Sequence, residues 1–77
     1  LDIGSNDGTL LNYARSSNES SHLVGIDPTI EQFAEKYDES ILQIPDFFSF
    51  EIASRINNKF NLITSLECMI FISVLSL

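Results

Sequence analysis

The stretch from Leu1 to Leu11 constrains this chain most. Leu1, Asp2 and Ile3 read as the end of a strand, Gly4 to Gly8 as a turn, and Thr9, Leu10 and Leu11 as the start of a helix. A strand that feeds a helix through a glycine turn is the unit from which parallel α/β sheets are built. Such a turn also lets backbone amides approach a nucleotide-like ligand at the helix start. The spacing is Asp2-x-Gly4-x-Asn6-x-Gly8. A dinucleotide fingerprint, G-x-G-x-x-G counted from Gly4, requires glycine at positions 6 and 9. Those positions hold Asn6 and Thr9. Asparagine tolerates a left-handed backbone better than most residues, so the turn survives with Asn6 at its centre.

The rest of the chain alternates as a β/α protein does. Helix 1 is predicted from Gly8 or Thr9 to about Ser16, with Leu10, Leu11 and Ala14 as its apolar stripe. Strand 2 is predicted over His22 to Ile26 and ends in Asp27. Thr29 and Gln32 form a capping-box pattern for a second helix that reaches Tyr37 and buries Ile30, Phe33, Ala34 and Tyr37. Strand 3 covers Ile41 to Ile44; Ser49 caps a short helix from Phe50 to Ile56; Asn57-Asn58 is a turn signal; Phe60 to Thr64 is strand 4. This pattern predicts an α/β fold, a Rossmann-like doubly wound parallel sheet of strand order 3-2-1-4.

In such sheets ligands bind at the carboxyl ends of the strands. Asp2 to Gly8, Asp27, Asp46 and Ser65 to Glu67 each follow a strand end and are expected to converge on one crevice. Asp27 lies 19 residues beyond Gly8. A nucleoside-binding fold places a carboxylate about 20 residues past the turn, where it accepts the two ribose hydroxyls.

Composition narrows the function classes. The chain has 77 residues, so it holds one small domain at most. Its apolar fraction of 44% and six phenylalanines fit a globular chain, not a disordered one. The net charge is −7, and the basic residues Arg15, Lys36, Arg55 and Lys59 are scattered, which argues against a nucleic-acid surface. Cys68 stands alone, which rules out an internal disulfide and a zinc cluster, and a free thiol fits a reducing, cytoplasmic compartment. No secretory leader is visible, and the apolar tail from Met69 to Leu77 is short of the roughly 20 residues a membrane span needs. Leu1 is not a methionine, and Leu1 to Ile3 read as the last residues of a longer strand. The expectation is a piece of a larger domain, cut through its central strand.

The motifs together resemble a known family. Leu-Asp-Ile-Gly-Ser-Asn-Asp-Gly-Thr-Leu-Leu, then Val-Gly-Ile-Asp-Pro-Thr, Ile-Pro-Asp-Phe-Phe-Ser and Phe-Asn-Leu-Ile-Thr-Ser, occur in the order found in the sugar C-methyltransferases. These are class I methyltransferases that use S-adenosyl-L-methionine (SAM). The resemblance covers roughly residues 1–66. It implies a truncated class I methyltransferase fold with SAM as cofactor. The methyl acceptor it implies is a carbon of a nucleotide-linked sugar. Asp2, Gly4, Ser5, Asn6, Gly8, Asp27, Asp46, Phe47 and Ser65 are the implied cofactor-binding residues. Asp2 would face the methionine end of SAM. Asp46 would meet the adenine amino group, with Phe47 against the ring. The family also carries an amino-terminal zinc-binding segment and a carboxyl-terminal domain, neither of which this sequence contains. Residues 67–77 depart from the family pattern and form an atypical tail.

Each site residue also has a plainer reading. Gly4 and Gly8 fit an ordinary strand-to-helix turn. Asp2, Asp27 and Asp46 each fit a helix cap. His22 reads as a surface residue at a strand start, Tyr13 and Tyr37 as packing residues, and Cys68 as an inert buried thiol. Methylating carbon requires a general base. None of these residues serves convincingly, so the catalytic residue is unknown and expected downstream. No metal site is expected. Two alternatives stand beside the methyltransferase reading. One is another nucleotide-binding Rossmann-like enzyme, such as a dehydrogenase. The other is a nonfunctional remnant or interaction module derived from an enzyme.

Overall fold

The computed structural model describes residues 1–18, 20–56 and 59–65. The Asn57-Asn58 turn, Glu67, Cys68 and the tail 67–77 lie outside the described residues.

Four parallel strands form one sheet: β1 (Asp2–Ile3), β2 (Val24–Ile26), β3 (Leu42–Ile44) and β4 (Thr64–Ser65). Their order is β3-β2-β1-β4, as the alternation predicts. Asp2 pairs with Gly25 on one side and Thr64 on the other, and Ile3 pairs with Ile26 and Ser65. Three helices connect them: α1 (Thr9–Ser17), α2 (Ile30–Phe33) and α3 (Phe50–Arg55).

Side chains alternate across a strand, so each strand contributes to both faces. Leu1, Ile3, Val24 and Ile26 pack with Phe48 on one face, where Ile52, Ala53 and Ile56 from the α3 segment join them. Leu11, Ile30, Tyr37 and Ile41 pack on the other, with Leu23 and Phe33. Helices thus cover both faces of the sheet. Gly25 makes the second face possible. A Cβ there would lie 2.7 Å from Leu11 Cδ1 and 2.8 Å from Ser5 Oγ. Its missing side chain is the space into which α1 and the first turn settle.

One local device recurs in the turns. An Asp or Asn accepts both the backbone N–H and the hydroxyl of a Ser or Thr two residues on: Asp7 from Thr9, Asn18 from Ser20, Asp27 from Thr29 and Asp38 from Ser40. These are Asx turns reinforced by a hydroxyl. They order the connections without lengthening the helices.

Several sequence expectations are corrected. Strand 2 begins at Val24, not His22, although Leu42 N–H still donates to Leu23 C=O at 3.0 Å. Strand 4 is Thr64–Ser65, not Phe60 to Thr64. Ahead of it, the Leu1 ammonium donates to Leu62 C=O at 3.1 Å and Thr64 N–H donates to Leu1 C=O at 2.9 Å. The second helix stops after Phe33 and tightens into a 3-10 turn over Ala34–Lys36. Asn12 explains this. Its Nδ2 donates to Lys36 C=O (2.6 Å) and its Oδ1 accepts from Asp38 N–H (2.8 Å), which draws both groups out of a helical ladder. Ala34 is therefore exposed and Phe33 half-buried, while Ile30 and Tyr37 are buried. The Thr29–Gln32 capping box does not form, because the Thr29 hydroxyl bonds Asp27 instead. On α1, Leu11 is buried but Leu10 and Tyr13 are exposed. The Ser49 cap holds: its side chain accepts from Ile52 N–H at 3.2 Å.

Candidate functional site

The turn after β1 follows directly from its residue types. Gly4, Asn6 and Gly8 all have positive φ, at 74°, 53° and 80°. Left-handed backbone at alternate positions coils the turn tightly, and glycine and asparagine are the residues that accept it at low cost. The Gly4 and Ser5 amides both donate to Ile26 C=O, at 2.8 and 3.2 Å, which fastens the turn to the end of β2. Asp7, a residue not singled out in the sequence, starts α1 through Thr9. The helix-cap reading of Asp2 therefore fails.

Asp27 stands at the carboxyl end of β2, with its own N–H bonded to Ile44 C=O at 3.1 Å. Its Oδ2 accepts from the Asn6 amide at 3.0 Å, and its Oδ1 accepts from Thr29 N–H at 2.8 Å and the Thr29 hydroxyl at 2.5 Å. Partial burial pushes this carboxyl up, but the hydrogen bonds from Thr29 and Asn6 outweigh it and hold the group below the ordinary carboxylate range. It is an anion at neutral pH. A carboxylate offers about four acceptor sites. Three are used here, so a ligand hydroxyl finds roughly one open on Oδ2, and a two-pronged grip on a diol requires one internal bond to yield.

Asp2 is buried, at 4% exposure. It pairs with Gly25 and Thr64 across the two central ladders, and its Oδ1 accepts from the Thr64 hydroxyl at 2.8 Å. Burial raises its pKa. The Thr64 hydrogen bond and the N-terminal ammonium work against the rise, and the Asp27 charge adds to it. Thr64 was not anticipated as part of the site. No local pattern marks it, because its role arises from its register with Asp2.

Asp2, Ser5, Asn6, Gly8 and Asp27 are thus brought together at the carboxyl edge of the two central strands. Ser65 lies beside Ile3 at the end of β4 and borders the same edge. Asp46 and Phe47 follow β3 but remain on the periphery. Asp46 Oδ1 accepts from the Phe47 amide at 2.7 Å, and Phe47 is 72% exposed. Ser5 is buried, and its hydroxyl meets the Tyr37 hydroxyl at 2.8 Å. His22 is exposed, as expected of a surface residue, but lies ahead of β2 rather than at its start. It lines a different feature, an apolar groove of about 660 Å³ at the amino ends of the strands, formed with Leu1, Leu10, Leu23, Phe60 and Leu62.

Among the described residues, no group of three or more His, Cys, Asp or Glu is placed to hold a metal ion. Among them, too, no helix is long and apolar enough to cross a membrane. Comparison with protein-family models, with curated proteins and with solved structures finds no match to this chain.

Proposed function

We propose that this chain is the SAM-binding portion of a methyltransferase. The proposed methyl acceptor, a carbon of a nucleotide-linked sugar, follows from the sequence resemblance alone. The observation that carries the reading is the joint placement of the left-handed Gly4-x-Asn6-x-Gly8 turn, the buried Asp2 and the ionised Asp27 at one strand edge. The Asp27 Oδ2 atom accepts from the turn itself, so turn and carboxylate form one unit.

The chemistry of these groups fits SAM. The ligand carries a sulfonium and an ammonium, and two carboxylates at the crevice complement that charge. Asp2 at the centre faces the methionine end in this reading, and Asp27 accepts a ribose hydroxyl on its open Oδ2 site. Gly4 presents no side chain, which leaves room for the methionine chain to pass. Asp46 and Phe47, on the more exposed rim, would meet adenine by its amino edge and its face. When bound, the sulfonium supplies an already activated methyl group. The protein's share is alignment and exclusion of water.

The test is a calorimetric titration of the 77-residue chain with S-adenosylhomocysteine and, separately, with NAD. Saturable heat with the first and none with the second supports the reading. Binding of NAD alone assigns the crevice to a dehydrogenase-type enzyme, and binding of neither refutes a nucleoside site.

A further inference from the structure

We infer that Tyr37, aimed by Asn12, is a positioning residue that holds the Gly4–Gly8 turn in the shape that receives its ligand. This inference rests on the proposed cofactor role of that turn and names a residue pair that the role does not itself include.

Tyr37 reaches the turn from about thirty positions away and touches it at three points. Its hydroxyl donates to Asn6 C=O at 2.6 Å. That uses the single phenolic proton, so the Ser5 hydroxyl, 2.8 Å away, donates to Tyr37 in turn. Its ring lies against Gly8, where a Cβ would come within 2.9–3.0 Å of Cε2, Cδ2 and Cζ. Tyr37 is buried, at 5% exposure, so these contacts are sheltered from water. Asn6 is the one non-glycine residue of positive φ among the described residues. It carries the main conformational cost of the turn. Tyr37 holds its carbonyl, and Asp27 holds its amide. Both sides of the costly residue are clamped.

Asn12 sets the direction of Tyr37. Its side-chain amide bonds Lys36 C=O and Asp38 N–H, the peptide groups on either side of the tyrosine. Between them Tyr37 leaves the 3-10 turn in extended backbone, φ −80° and ψ 138°. A helix continuing through Tyr37 would carry the ring elsewhere. Asn12 lies on α1, the helix that the turn itself begins. The circuit is closed: the turn starts α1, α1 carries Asn12, Asn12 aims Tyr37, and Tyr37 fixes the turn.

The experiment compares wild type, Tyr37→Phe and Asn12→Ala in the full chain, by amide hydrogen exchange without ligand and by titration with S-adenosylhomocysteine. Tyr37→Phe keeps the ring against Gly8 and removes only the hydroxyl. Exchange at the Asn6 and Gly8 amides is expected to rise about tenfold in both variants, the scale of one lost hydrogen bond, with the Asp27 and Leu42 amides of the sheet changing less than about twofold. Affinity should fall about tenfold in both, although the Asn12 side chain bonds Lys36 and Asp38 rather than the turn, and its backbone bond to Gly8 C=O survives the substitution. A rise shared equally by turn and sheet would show general destabilisation and overturn the inference. An unchanged turn overturns it as well, as does unaltered affinity in a variant whose turn has loosened. If wild type binds no adenosylhomocysteine, the cofactor reading fails, while the exchange data still decide whether Tyr37 holds the turn.

Discussion

Replacing Asp2 by asparagine should stabilise the fold and weaken the ligand site at once. The substitution keeps the side chain's shape and leaves an amide oxygen to accept from Thr64 Oγ1, now 2.8 Å from Oδ1. It removes a charge that is 4% exposed and meets that one side-chain donor. A buried polar group short of partners costs about 1–3 kcal/mol, and the Thr64 bond and the N-terminal ammonium offset part of this, so the expected gain in unfolding free energy at pH 7 is about 1 kcal/mol. The sign with pH follows from the raised carboxyl. Its folded pKa lies above the unfolded value of about 3.9, so as pH falls the folded chain takes up this proton first. The advantage of Asp2→Asn over wild type should be full above the raised value, shrink through the interval below it and level off under about pH 3.9. Urea denaturation of both proteins, followed by circular dichroism at a series of pH values, measures the difference directly. Adenosylhomocysteine affinity should move the other way, falling by about 1–3 kcal/mol as the ammonium loses its counter-charge. A difference in stability that is flat with pH, or an asparagine variant less stable than wild type at pH 7, refutes the argument from burial.

Gly25→Ala should destabilise the chain by about 1–3 kcal/mol in a denaturant melt, since the new methyl meets Leu11 Cδ1 at 2.7 Å and Ser5 Oγ at 2.8 Å. Trimming Leu11 to alanine in the same chain should recover little, because Ser5 still blocks the site. Asp27→Ala should weaken adenosylhomocysteine by about 1–3 kcal/mol in calorimetry and release the Asn6 amide to faster exchange. Asp27 has a depressed folded pKa, so its contribution to stability is present above about pH 3.9 and lost as pH falls through the folded value. The difference between wild type and Asp27→Ala should therefore narrow on acidification. The 77 residues supplied with SAM and a nucleotide sugar should produce no transfer of labelled methyl, because none of the groups gathered at the crevice is suited to remove a proton from carbon. Measurable turnover would place the base among residues given other roles above.

The parts of this protein that were legible in its sequence are those that depend on residue type and near neighbours. Gly, Asn and Gly at 4, 6 and 8 are the residue types that accept the left-handed backbone found there. Parallel strands separated by helices follow from the alternating apolar runs and the handedness of their crossovers, in the arrangement that was expected. The Ser49 cap lies three residues from its partner amide. The Asp-x-Thr pairs at Asp7 and Asp27 were equally open to reading, and they displaced the Asp2 cap and the Thr29 capping box because a carboxylate two residues away accepts both the amide and the hydroxyl. What only the tertiary structure decided involves partners far apart in the chain. Asn12 meets Lys36 and Asp38, Tyr37 meets Ser5 and Asn6, Asp2 meets Thr64, and Gly25 makes room for Leu11 and Ser5. Nothing in the local pattern of a tyrosine at a helix end separates a packing residue from one that holds a turn. The distinction arises when the sheet sets its register and α1 settles over Gly25, since only then do a hydroxyl and a carbonyl 31 residues apart come within hydrogen-bonding distance.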